Sequence, residues 1–250
     1  MDDEPWLTLR RLIVFGLVLL LVMLRVEAER FGAAEYDEAA GDGRSPSLRR
    51  RLAWYLTGAG LVASILIIHP APQAELYLGS GERVGAVVGG LFYGLIGTAQ
   101  AVSFAWLRYK ALRLPAIGSY PGALVNSVAT AFIDEAAYRG VLFGILLGVG
   151  VNVTTANVIQ ALVYALSTRL GAPGRDRYML VLALLIALAG GWLTAATGGI
   201  AAAFLGHAVT RFAVFLCTGH PGQVALRGRE AEDIERRRRP PDGWRIIGSR

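Results

Sequence analysis

The sequence predicts an all-α fold, a polytopic transmembrane helical bundle of about seven apolar segments. Three observations carry this. Hydrophobic residues make up 54% of 250 against 18% charged, with a mean hydropathy of +0.46, too apolar for an ordinary soluble domain. The apolar residues fall into runs near spanning length, separated by short polar stretches. Glycine, at 31 residues, is as abundant as helices packing closely in lipid require.

The first run, Leu12 to Leu24, reaches spanning length only if it extends back to Trp6 and Arg10 and Arg11 snorkel. The acidic start, M-D-D-E-P, reads as a retained span and not as a signal peptide. A hydrophilic loop from Arg25 to Arg51 follows. The second run, Leu52 to His69, is closed by Pro70, and the third, Val84 to Leu107, has Gly85/Gly89 and Gly90/Gly94 at helix-contact spacing. Ser119, Tyr120 and Pro121 read as a helix start. The fourth run spans about Gly122 to Leu147, and Gly148 to Asn152 reverses the chain into the fifth, Val153 to Thr168. A polar turn, Gly171 to Arg177, leads to the sixth, Tyr178 to Ala196, and Thr197-Gly198-Gly199 to the seventh, Ile200 to Cys217.

The basic residues support that count. The stretches after runs one, three, five and seven hold six, three, three and eight Lys or Arg, against one after run two and none after runs four and six. Seven spans with a cytoplasmic C-terminus satisfy this alternation. The arginine clusters also suit anionic lipids; their distribution argues against nucleic acid, whatever the net charge of +6. The single cysteine, Cys217, excludes an internal disulfide and reads as a packing residue. We divide the chain into residues 1–51 (N-terminal apolar segment and cytoplasmic loop), 52–217 (transmembrane core) and 218–250 (a basic tail expected to be disordered).

The sharpest chemical signal is A-F-I-D-E-A-A-Y-R-G, residues 131 to 140, which places Asp134, Glu135 and Arg139 inside an apolar run. Charges at that depth need a partner or a purpose. On an α-helix Glu135 and Arg139 share a face, while Asp134 points about 100° away and meets Tyr138. One carboxylate is thus matched and the other left over, with His207 its best distant candidate. A carboxylate there can activate water for attack on a peptide carbonyl while an imidazole or cation stabilises the oxyanion; the same residues can also form an intramembrane salt bridge that fixes packing.

His207 and Arg211 form the second constellation, in A-A-A-F-L-G-H-A-V-T-R-F. His207 can serve an oxyanion, ligate a metal with Asp134 or Glu135, or join two helices as a core histidine. Two carboxylates opposed by two arginines leave little field for a divalent ion, so no cofactor is expected, with zinc as the alternative. Tyr164 and Thr168 form a third pair, with Gln160 on a roughly common face of run five; Asn126 reads as helix-contact glue, and His69 and His220 as interfacial.

D-E-A-A-Y-R-G resembles the E-E-x-x-x-R motif of the CAAX prenyl endopeptidase and bacteriocin-processing (CPBP) intramembrane proteases, with Asp134 in place of the first glutamate. Q-A-L-V-Y-A-L-S-T-R-L is similar to the setting of the family's F-x-x-x-H motif, with Tyr164 in the phenylalanine place and Thr168 where the histidine should stand. G-G-I-A-A-A-F-L-G-H-A-V-T-R resembles its H-x-x-x-N or H-x-x-x-D segment through Gly199, Ile200 and His207, with Arg211 replacing the Asn or Asp. The likeness covers about residues 121–215.

It implies an intramembrane endopeptidase acting on a membrane-embedded or lipidated peptide, in a bacterial plasma membrane. The implied roles are Glu135 as general base, Asp134 orienting it or sharing its proton, His207 stabilising the oxyanion, and Arg139 completing the motif. The departures at Thr168 and Arg211 imply reduced or altered activity, or a non-catalytic relative acting as a membrane scaffold or binding protein.

Overall fold

The computed structural model describes residues 4–33, 48–109, 112–114, 117–171, 177–218 and 245–248. Its helices are α1 (Glu4–Val26), α2 (Leu48–Ile68), the short α3 (Pro72–Glu75), α4 (Arg83–Tyr109), α5 (Tyr120–Asp134), α6 (Phe143–Gly148), α7 (Val153–Leu170), α8 (Arg177–Thr197) and α9 (Ala201–Thr218). A π-helical segment, Glu135–Leu142, joins α5 to α6 without a break. The fold is that of an all-α, polytopic membrane protein. Among the described residues four helices are long and apolar enough to cross a membrane, over Trp6–Val26, Arg49–Ile68, Arg83–Leu107 and Leu180–Thr197, and α9 is a shorter apolar helix.

The helices start and stop where local chemistry requires. α2 ends just before Pro70, and α3 opens on Pro72, where a missing N–H costs nothing. Gly150, at φ 89°, makes the reversal after α6. Asn152 then caps α7, its side-chain oxygen accepting from the Thr155 N–H at 3.0 Å.

α4 packs along α9, and its glycines set the distance. A Cβ at Gly94 would lie 2.9 Å from the Val209 side chain, so the contact admits hydrogen alone. The outer face of α4 carries Leu91, Phe92, Leu95 and Ile96, all more than half exposed. The interior, by contrast, holds Asn126, Gln160, Asp134, Glu135, Arg139 and His207, all at most 3% exposed. Apolar outside and polar within is the arrangement of a bundle solvated by lipid.

Two expectations are corrected here. Arg25, read as the first residue of a hydrophilic loop, lies inside α1 and is 3% exposed; the helix continues through it because its guanidinium meets an anion in the core, as described below. α1 therefore enters the core through Val14, Val18 and Leu21, with the Trp54 indole of α2 donating to the Leu24 carbonyl at 2.8 Å. Within the tail expected to be disordered, Arg245–Ile247 pairs antiparallel with Leu112–Leu114 in a two-stranded ribbon. Residues 219–244, with His220 and the arginine run, lie outside the described residues.

Candidate active site

The centre of the molecule is the π segment. Its i→i+5 pattern, seen in the Phe143 N–H reaching the Tyr138 carbonyl, adds a residue to the turn, a device common at functional sites. Every residue from Asp134 to Val141 is buried. Nothing in the composition of the run announces the π geometry; Glu135 and Arg139 pair as α-helical spacing predicts, whereas Tyr138 does not meet Asp134.

Glu135 is held from two sides. Its Oε1 lies 2.6 Å from His207 Nδ1, on α9, and its Oε2 lies 3.4 Å from Arg139 Nε. Glu135 and Arg139 are fully buried, and His207 is 3% exposed. With the carboxylate accepting, Nδ1–H donates and Nε2 keeps its lone pair; the network thereby assigns the tautomer. Nε2 then accepts from the Tyr164 hydroxyl at 3.3 Å.

Tyr164 is itself braced. The Arg139 guanidinium carbon stands 4.2 Å from its ring centroid, a cation–π contact away from water. Tyr138 meets the same ring edge to face at 5.2 Å, and its hydroxyl pairs with Ser167 Oγ at 2.6 Å, not with Asp134 as α-helical spacing suggested. α8 approaches through Gly190, where a Cβ would sit 3.3 Å from Arg139 Nε and 3.6 Å from Glu135 Oε2. Sequence reasoning missed Gly190, which has no motif around it.

The two adjacent acids serve different partners. His207, expected as the best mate for the leftover Asp134, bonds Glu135 instead. Asp134 is 1% exposed, and its Oδ1 lies 3.6 Å from Arg25 Nε of α1. The same Nε donates to Thr168 Oγ1 at 3.4 Å. Arg25 was also missed, because a basic residue at the end of an apolar run reads equally well as one that leaves the membrane.

The remaining expected residues fall around one cavity of about 80 Å³. His207, Tyr164, Thr168, Arg211, Asn126 and Gln100 supply its polar groups, and Phe104, Leu182, Ile186 and Val214 its apolar walls. That volume accommodates water. Arg211 donates to Asn126 Oδ1 at 3.3 Å, while Asn126 Nδ2 reaches the Tyr55 hydroxyl at 2.6 Å and the Ala33 carbonyl at 3.2 Å, tying α5 to α2 and to the turn that follows α1. Gln160 turns toward α8, donating to Asn157 and to the Ala187 carbonyl.

A divalent metal fits this donor set poorly. Among the described residues no three His, Cys, Asp or Glu side chains converge to hold an ion. Glu135 and Asp134 each face a guanidinium and His207 is the single imidazole, short of the ligands a zinc site needs.

Residues 116–213 match the family model described as Rce1-like, type II CAAX prenyl endopeptidase Rce1-like. No curated protein and no solved structure matches the chain. The matched stretch contains Asp134, Glu135, Arg139, Tyr164, Thr168, His207 and Arg211, while Arg25 lies outside it. Within an all-α polytopic membrane protein, residues 116–213 are thus a CAAX-protease-like (Rce1-like) domain, consistent with the CAAX/CPBP protease superfamily.

Proposed function

We propose that the chain hydrolyses a peptide bond in a membrane-embedded or lipidated peptide, using Glu135 and His207 as a coupled acid–base pair. The observation that supports this most is the 2.6 Å contact of His207 Nδ1 with Glu135, which leaves Nε2 to the Tyr164 hydroxyl, both residues lining the polar cavity. Glu135 orients the ring and stabilises the imidazolium; a water in the cavity displaces the Tyr164 hydroxyl from Nε2, which takes the water's proton and frees that hydroxyl. The water oxygen attacks the carbonyl carbon, the C–N bond breaks, and the proton passes from Nε2 to the leaving nitrogen. Tyr164 and Arg211, on the same wall, face the developing oxyanion with a hydroxyl donor and a positive charge.

This assigns roles differently from the motif alone. Glu135 is fully buried with both oxygens engaged, so the imidazole is the group that meets water. Asp134, turned toward Arg25, acts as a structural anion. The seven-span count, a cytoplasmic C-terminus and contact of the basic loops with anionic lipids belong to the same proposal and rest on the charge alternation.

A second reading, a non-catalytic membrane scaffold, is favoured by Thr168, which accepts from Arg25 where an imidazole would be expected. Incubation of the purified protein in bilayers with prenylated and unmodified membrane peptides, followed by mass analysis of fragments, separates the two. Hydrolysis that depends on His207 supports the first; intact peptides throughout, with a folded protein, support the second.

A further inference from the structure

Asp134 is paired with a residue from outside the matched domain. Among the described residues neither of its oxygens accepts a hydrogen bond; it is 1% exposed, and its charged neighbour at 3.6 Å is Arg25 of α1. Arg25 is as deeply buried, at 3%, and its Nε also donates to Thr168. A carboxylate without hydrogen bonds in an apolar bundle is held by its counter-ion or not at all. The consequence reaches the next residue, because Asp134 and Glu135 are adjacent on the backbone and two buried anions must be kept apart for one of them to bond His207.

We propose that Arg25 is a positioning residue of the site: α1 delivers the cation that fixes Asp134 beside Thr168 and thereby divides two neighbouring carboxylates into a structural one and the partner of His207. α1 is then part of the functional unit and no mere membrane anchor. Its packing fits this, since Val14, Val18 and Leu21 join the same core as Tyr138 and Tyr164. The cation at Thr168 also gives that position a role, with the guanidinium standing beside Asp134 from another helix.

The pairing is tested by a double-mutant cycle on the full-length protein in detergent, comparing wild type, Arg25→Gln, Asp134→Asn and the pair. Each single change should lower the folded-to-unfolded ratio, and the double variant should retain roughly tenfold more than the product of the single losses implies. Arg25→Lys keeps the charge and should hold folded yield near wild type. Losses that simply multiply, or a lysine variant no better than glutamine, overturn the proposal. If Arg25→Gln gives no folded protein, recovery in Arg25→Gln/Asp134→Asn decides the matter, and failure to recover overturns it equally.

A second arm rests on the acid–base reading of the site. In refolded or bilayer-inserted samples, Arg25→Gln should lower kcat on a cleaved peptide by at least about tenfold with KM little changed, and the double variant should regain part of it. An unchanged kcat in Arg25→Gln overturns the positioning role. Should no variant, wild type included, cleave any peptide, the hydrolase reading fails while the stability cycle still decides the pairing of Arg25 with Asp134.

Discussion

Glu135 and His207, 72 residues apart in sequence, share a 2.6 Å hydrogen bond at the junction of the π segment and α9. Around it the charges are arranged as a relay of supports. Arg139 faces the second carboxylate oxygen, Tyr164 contacts both the Arg139 guanidinium and the imidazole Nε2, and His207 and Tyr164 line the cavity. Removing any one member leaves a buried group short of its partner, which makes the cluster sensitive to single substitutions and responsive to paired ones.

Glu135→Gln leaves Arg139 without its counter-charge in a fully buried position, for a loss of about 3–5 kcal/mol of stability. Glu135→Gln/Arg139→Met should recover much of that, because both charges then disappear together. Thermal unfolding in detergent, followed by tryptophan fluorescence, measures it; a double variant as unstable as the sum of its singles would contradict the pairing.

Gly190→Ala places a methyl 3.3 Å from Arg139 Nε and 3.6 Å from Glu135 Oε2. α8 or the ion pair must give way, and a stability loss of about 1–3 kcal/mol is expected, as for other overpacked cores. Gly60→Ala, on a helix position with nothing within 4 Å, is the control and should be nearly silent. Equal melting points for the two variants would show that α8 does not press on the site.

Thr168→His would set an imidazole against the Arg25 guanidinium that now donates to Thr168. The substitution alone should therefore yield no gain in peptide cleavage over wild type, and adding Arg25→Gln, which also strips Asp134 of its counter-ion, should not restore it. Rates on one prenylated peptide in matched bilayers test this. A Thr168→His variant that outperforms wild type would mean that Arg25 and an imidazole coexist there.

Much of the helical framework was legible because its causes are local. The apolar runs, Pro70 after α2, the Gly148 to Asn152 reversal and the Gly-rich face of α4 each follow from residue chemistry within a few positions. The approach of His207 to this pair of acids was also legible, since a buried acid and a buried imidazole each need a partner, although the imidazole bonds Glu135 and not the leftover Asp134. Arg25 was not. At the end of an apolar run a basic side chain reaches the interface or turns inward, and the choice depends on Asp134, 109 positions later. The π segment escaped for the opposite reason, since one extra residue in a turn leaves the hydrophobic pattern almost unchanged. The pairing of Arg245–Ile247 with Leu112–Leu114 joins two short segments, neither of which alternates strongly enough to declare a strand.

The span count is open to direct measurement. Reporter insertions between Ser80 and Arg83 and between Gly171 and Arg177 should lie on opposite sides of the membrane, because three apolar runs, the third to the fifth, separate them. Both sites on the cytoplasmic side would contradict seven spans.

The most direct test of the Glu135–His207 pair as reactive machinery is the cleavage rate of a membrane peptide by wild type, His207→Ala and Glu135→Gln under identical bilayer conditions. Each variant should lose at least about a hundredfold in kcat, the contribution expected of a general acid–base group, while a His207→Ala protein of normal folded yield shows that the loss is chemical. Cleavage that persists at the wild-type rate in His207→Ala, with the protein folded, would contradict a reaction at this site.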